Sequence, residues 1–197
     1  AFNWLKDRIK GNLSYTMTLA GNYKRPIIEW NVQAINGDFW FMYFDLIELT
    51  IVYRNFTLEF PHMHLEKENQ YQLSGNGVVY HVFGTRKDLP EDLEHNFRFK
   101  FGLEGNLLSI TPRLLPNIVR RADSRGEANF CFAGRADSLW FEEFSADITH
   151  GTLYPVMLID KVADVQGKVT LNPQTRFFSL EYLSGKVDQT SIFVYNT

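Results

Sequence analysis

His62-Met63-His64 is the one spacing in this chain that suggests a metal. Residues i and i+2 of a strand share a face, so two imidazoles could chelate a borderline cation. No third ligand stands nearby in sequence, and a solvent-facing pair is the better reading. Glu142, Glu143, Asp147 and His150 could do acid–base work only if they gathered in a pocket, and the turn signal at His150-Gly151 argues against that. Asp88, Glu91, Asp92 and Glu94 flank Pro90 and read as a solvated loop or helix start, not as paired catalytic carboxylates. Cys131 is the sole cysteine, so no internal disulfide forms. Strand alternation in Asn129-Phe130-Cys131-Phe132 sets that thiol opposite the phenylalanines, and without a neighbouring His motif it reads as structural. Nucleophile elbow, phosphate loop and dinucleotide glycine motif are all missing. The expectation is a protein that is not an enzyme, with no cofactor and no metal.

Composition narrows the partners. The 197 residues are 45% hydrophobic and 22% charged, with a formal net charge of −3 and Lys and Arg scattered along the chain. No basic stripe exists to neutralise a phosphate backbone, so nucleic acid is not expected. Arg120, Arg121 and Arg125 read as a solvated loop. Apolar stretches break off well before the length needed to span a bilayer, so a membrane anchor is expected outside this chain. The first residue is Ala1 and the last stretch, Val194-Tyr195-Asn196-Thr197, is in mid-pattern, which suggests a fragment of something longer.

The elements that must position any site are strands. Leu13, Tyr15, Met17 and Leu19 alternate with Asn12, Ser14, Thr16 and Thr18, and this period of two marks a half-buried strand. Ile28, Trp30, Val32 and Ala34 repeat the pattern, as do Phe97, Phe99 and Phe101 against Arg98 and Lys100. An aromatic run at 39–44 leads into Ile47, Leu49, Ile51 and Tyr53, and Leu58 and Phe60 follow. Pro61 cannot donate to a ladder and predicts a bulge or an edge. Turns are predicted at Gly21-Asn22, Asn36-Gly37-Asp38, Asn55, Gly75-Asn76-Gly77, Gly102–Asn106 and Gly151. Short helices are predicted at Trp4–Lys10, Leu89–His95 and Leu114–Arg121.

The two halves carry the same order of events, with glycine anchors Gly11, Gly37 and Gly75 recurring at nearly constant spacing as Gly126, Gly151 and Gly185. This predicts a single β-groove segment over residues 1–197, with repeat one at about 11–83 and repeat two at about 97–197. The fold class expected is all-β: a long, curved antiparallel sheet, an open groove built from two β-meander repeats, with an apolar concave face. Such a face exposes more apolar surface than soluble monomers usually tolerate, and exposure of that kind marks a binding surface. The predicted wall comprises Leu13, Tyr15, Met17, Trp30, Val32, Ile47, Leu49, Ile51, Leu58, Phe60, Phe97, Phe99, Phe130, Phe144, Val169 and Leu171. No polar groups converge on it, which suits acyl chains better than a small molecule with a headgroup to fix. Two alternatives use the same residues: a closed barrel or sandwich binding a small apolar ligand, and a structural or adhesin-type β-module.

The stretch Gly11–Pro26, a glycine, an alternating strand, Leu19-Ala20-Gly21, a short spacer and Pro26, resembles the recurring unit of the TamB-like members of the AsmA-like envelope proteins. As in that family, a strand, an Asn-Gly turn and long strands closing on Leu73-Ser74-Gly75 follow. The second half is similar through Gly126–Gly134 and Gly151–Gly185, but departs at Trp140 and in the irregular insert Leu107–Arg125. The resemblance implies a β-taco in the periplasm whose parent protein is anchored in the inner membrane. It also implies phospholipid passing along an apolar groove, an outer-membrane partner of the Omp85 type, and a part in outer-membrane assembly.

Overall fold

The computed structural model describes residues 9–39, 42–80, 82, 95–135, 138–157 and 160–195. They form an all-β protein of eleven strands: β1 (Ile9–Asn22), β2 (Arg25–Phe39), β3 (Met42–Arg54), β4 (Thr57–Lys67), β5 (Tyr71–Val79), β6 (Phe97–Gly105), β7 (Val119–Arg135), β8 (Ser138–Pro155), β9 (Val162–Leu171), β10 (Phe178–Val187) and β11 (Thr190–Tyr195). The strands lie in chain order in one open antiparallel sheet. β1 and β11 are the two edges, so the sheet is not a closed barrel, and among the described residues no second sheet faces it to make a sandwich. The chain divides into two compact units: Ala1–Lys67, Leu73–Phe101 and Cys131–Phe141 in the first, and Glu68–Gln72, Gly102–Phe130 and Glu142–Thr197 in the second.

In the first unit the register makes rows across four strands. Leu13, Ala34, Ile47 and Leu65 form one; Tyr15, Val32, Leu49 and Met63 the next; then Met17, Trp30 and Ile51; then Leu19, Ile28, Tyr53 and Leu58. The opposite face carries Ser14, Gln33, Glu48 and His64 in one row and Thr16, Asn31, Thr50 and His62 in another. A slip of one residue in any strand would exchange the two faces, so the patterning itself fixes the pairing. Pro61 lies where the sequence predicts a bulge: Phe60 and Pro61 together oppose Ile51.

Several glycine and asparagine signals are not the turns they predict. Asn36-Gly37 lies inside β2, where Asn36 takes a left-handed φ of 53° and the pair opposes Gly11 as a bulge while pairing continues to Phe39. Gly75-Asn76-Gly77 lies inside β5, Gly102–Gly105 inside β6, and His150-Gly151 inside β8, at a register shift against β9. Two of the turns that do form use asparagine as a side-chain acceptor. Asn22 Oδ1 accepts from the backbone N–H of Lys24 and Arg25, both at 3.0 Å, and Asn172 Oδ1 accepts likewise from Gln174 and Thr175.

The helix predicted over Leu114–Arg121 is corrected: Val119 already begins β7, and among the described residues helical backbone is limited to a 3-10 turn at Leu107–Ile110 and one α-turn at Thr111–Leu114. Ile9 and Lys10 are strand, not helix; Trp4–Arg8, Leu89–Glu94 and the acidic cluster at Asp88–Glu94 lie outside the described residues. The first two pairs of repeat anchors fall on β1 and β7 and on β2 and β8, but Gly75 lies on the fifth strand from β1 and Gly185 on the fourth from β7. The two stretches therefore hold different numbers of strands between their anchors.

Candidate functional site

The site candidate is the apolar face, and its geometry in the first unit starts from its edge. Leu13, Tyr15, Met17 and Leu19 are 67%, 69%, 51% and 66% exposed. Trp30, Val32, Ile47, Leu49, Ile51 and Leu58, further in, are half-buried by their neighbours. Ten of the sixteen wall residues predicted from the sequence, Leu13 through Phe60, thus share one face of β1 to β4. A depression of about 150 Å³ on this face is lined by Ile47, Leu49, Met63, Leu65, Leu73 and Phe101.

Beyond β4 the face is closed by aromatic rings. Phe60 packs on Phe99 with ring centroids 5.4 Å apart, and Phe132 stacks on Phe99 and Phe101 at 5.5 and 5.8 Å and meets Phe97 edge-on at 6.4 Å. These rings fit because two positions beneath them have no side chain. A Cβ on Gly77 would overlap the Phe99 ring, and one on Gly75 would sit 2.6 Å from the Lys100 carbonyl oxygen and against Phe101. The sequence reading placed Phe97 and Phe99 on the wall but missed Phe101 and Phe132; alternation with Phe99 and Phe130 was the signal that could have found them. Cys131 points away from Phe132 and is fully buried.

In the second unit Phe144 meets Phe178 edge-on at 5.1 Å, and Leu171 pairs with Phe178. Ala146, Val169 and Leu180 form a row, and Ile148, Gly167, Leu183 and Val194 the next. The insert between β6 and β7 is seated on this unit: Leu107 Cδ1 and Leu108 Cδ1 lie 3.1 and 3.3 Å from the places where Cβ atoms would stand on Gly126 and Gly151. Asn106 fastens it. Its Oδ1 accepts from the Ser124 N–H at 2.8 Å, its own N–H donates to the Gln70 carbonyl at 2.6 Å, and Ser124 Oγ accepts from the Leu108 N–H at 3.0 Å. Phe130 lies four residues along β7 from Gly126, on the same side by alternation.

The polar faces are laced with hydrogen bonds. Thr50 Oγ1 donates to Asn31 Oδ1 at 2.9 Å, and Asn31 Nδ2 donates to Glu29 at 3.0 Å. Arg54 grips Glu59 with two bonds of 2.7 and 2.8 Å, which raise its guanidinium pKa above the ordinary value. His62 and His64 stack with centroids 6.2 Å apart, near Glu48 and Glu66 respectively. Among the described residues no three His, Cys, Asp or Glu side chains are placed to hold a metal. Two larger hollows open among mainly polar residues: about 370 Å³ beside Thr16, Asn31, Glu48 and His62, and about 450 Å³ in the second unit beside Asp123, Arg125, His150 and Asp164. His150 therefore meets neither Glu142 nor Glu143 in that hollow, and its carboxylates are engaged, Asp123 with Arg121 at 2.9 Å and Asp164 with Lys186 at 3.0 Å.

No helix among the described residues is long and apolar enough to cross a membrane. No family model matches the chain, and no curated protein and no solved structure shows a significant similarity to it.

Proposed function

We propose that this chain is a segment of a lipid-conducting β-groove, carrying phospholipid acyl chains along its apolar face between the inner and outer membranes, in the manner of the TamB-like proteins its sequence resembles. One observation carries the reading: four successive apolar rows across β1 to β4, with no charged side chain among them, end in residues left more than half exposed to water. A soluble protein rarely leaves so continuous an apolar surface uncovered without an occupant for it. An acyl chain needs no donor or acceptor, and in these rows the strong ones are limited to the Tyr15 and Tyr53 hydroxyls and the Trp30 indole N–H. The 150 Å³ depression is smaller than the roughly 300–1,000 Å³ usual for a small-molecule site, so an extended apolar ligand lying along the rows fits better than an enclosed one. The two-repeat, concave architecture belongs to this reading. So do the periplasmic setting, the inner-membrane anchor outside this chain, the Omp85-type partner and a role in outer-membrane assembly, which rest on the resemblance alone. No catalytic role is proposed.

The test is native mass spectrometry with lipid extraction on the chain purified without detergent, beside a Leu13→Asp, Tyr15→Asp variant. Both positions are exposed, so the variant should keep its fold, to be checked by circular dichroism. Co-purifying phospholipid that the folded variant has lost supports the groove. A wild-type chain that is free of lipid and takes none from vesicles refutes it.

A further inference from the structure

In the first unit a hollow of about 380 Å³ opens at the rim where two hairpins turn, lined by Lys24, Arg25, Pro26, Tyr53, Asn55 and Phe56. Lys24, Arg25 and Pro26 stand at the β1–β2 turn, and Tyr53, Asn55 and Phe56 at the β3–β4 turn. Tyr53 belongs to the last of the four apolar rows, with Leu19, Ile28 and Leu58, so the hollow lies at the end of the rows and not among them. Its volume is more than twice that of the apolar depression beside Leu49 and Met63.

Three cations stand at this rim, and they differ in how their charge is met. Arg54 is held by Glu59 through two hydrogen bonds. Among the described residues no carboxylate pairs with Lys24 or Arg25. Glu29, the acidic residue nearest to them in sequence, accepts instead from Asn31 at 3.0 Å. The Asn22 side chain holds the backbone N–H groups of both Lys24 and Arg25, so the turn that presents the two charges is fixed. Phe56 points the same way: with a φ of 61° it occupies a conformation that favours glycine, yet it keeps a ring against the hollow. Two unmatched positive charges beside an apolar row suit a ligand that is anionic at one end and apolar along the rest. We infer that this hollow seats the phosphate of a phospholipid, with Lys24 and Arg25 as its counter-charges and the acyl chains running from it along the adjoining rows. The inference rests on the lipid reading above and adds selectivity to it, because the rows alone take any acyl chain whereas the hollow favours one that carries phosphate.

Calorimetric titration with three probes tests the site. Dihexanoylphosphatidylglycerol carries chains and phosphate, dihexanoylglycerol the chains alone, and glycerol phosphate the phosphate alone. The wild-type chain should bind the first most tightly. Lys24 and Arg25 are both exposed, so a Lys24→Gln, Arg25→Gln variant should keep its fold, checked by circular dichroism. Its affinity for dihexanoylphosphatidylglycerol should fall by about tenfold, while its affinity for dihexanoylglycerol should not change. Added sodium chloride should weaken the phospholipid in the wild type and leave the variant unmoved. A Lys24→Arg, Arg25→Lys variant keeps both charges and should bind as the wild type does. If the folded Gln variant loses no affinity for the phospholipid, or the wild type binds it no better than dihexanoylglycerol, the headgroup site is wrong and the groove stands. If glycerol phosphate binds as tightly as the phospholipid, the hollow takes free phosphate esters and its assignment to lipid falls. If neither lipid binds, the groove and the headgroup site fall together.

Discussion

Gly77→Ala should destabilise the protein through one contact, and that contact can be removed separately. The added methyl would stand 2.5 Å from Phe99 Cε1 and 2.8 Å from Cγ, with no backbone atom among its nearest neighbours. Phe99 cannot swing aside freely, since Phe60, Phe97, Phe101 and Phe132 hold its ring with centroids 5.4 to 6.3 Å away. Overpacking of this kind costs about 1–3 kcal/mol. A middle value of about 2 kcal/mol lowers Tm by roughly 4–8 °C in a chain of this length. In a Phe99→Ala background the obstacle is gone, and alanine in a strand is favoured over glycine by about 0.5–1 kcal/mol, so the effect of Gly77→Ala should change sign. The coupling between the two substitutions is then roughly 2–3 kcal/mol, measurable by urea unfolding of the four variants. Gly75→Ala is the internal control, because its methyl also meets the Lys100 carbonyl oxygen, and Phe101→Ala should relieve it only in part. If Gly77→Ala costs the same with and without the Phe99 ring, the ring-over-glycine account of this face is wrong.

Other consequences are smaller and separable. The β3–β4 hairpin turns on Asn55-Phe56 with φ of 48° and 61°, a primed turn in which the second residue should be glycine; Phe56→Gly is expected to stabilise by about 1 kcal/mol in chemical unfolding. Asn106→Ala removes the acceptor that holds Ser124 and should cost about 1–2 kcal/mol, with amide exchange quickening over 107–118 ahead of the rest of the second unit. The Lys168–Glu181 pair, 2.9 Å apart, holds the glutamate below its ordinary pKa chiefly through the hydrogen bond from Lys168. A depressed carboxylate contributes stability that is fully present above the unfolded pKa and fades as pH falls through the folded one. Lys168→Met should therefore flatten the acid limb of the stability–pH curve, and added salt should flatten it in the wild type, because the pair is solvent-exposed.

Strands were legible in the sequence because alternation is a property of the pleat itself: Leu13, Tyr15, Met17 and Leu19 could share a face in no other regular structure. Punctuation was not, because glycine and asparagine serve three purposes that look alike in one dimension. Asn55 is a turn, Asn36 a bulge, and Gly77 the floor beneath a ring. What separates them is the partner strand, which single-sequence reading does not see. The insert at 107–114 failed for a related reason: Pro112 suggests the start of a helix, but Asn106 and Ser124 tie the chain down within two short turns, and β7 resumes at Val119.

The wall predicted as uniform is graded in the first unit, and the grading bears on which residues meet a ligand. Phe60, Phe97 and Phe99 spend their surface on one another and on Phe132, so they serve the fold whether or not anything binds. Leu13, Tyr15 and Met17 have neighbours on one side only, and their remaining surface faces water. Truncating a ring in the cluster should therefore cost about 2–4 kcal/mol of stability, while polar substitution at Leu13 or Tyr15 should cost almost none and act on ligand instead. A Phe99→Ala variant that unfolds readily yet keeps its lipid per folded molecule, beside a Leu13→Asp, Tyr15→Asp variant that is stable and empty, is the pattern this division requires. If lipid is lost in proportion to stability at both places, the exposed rows are no more a binding surface than the rest of the sheet.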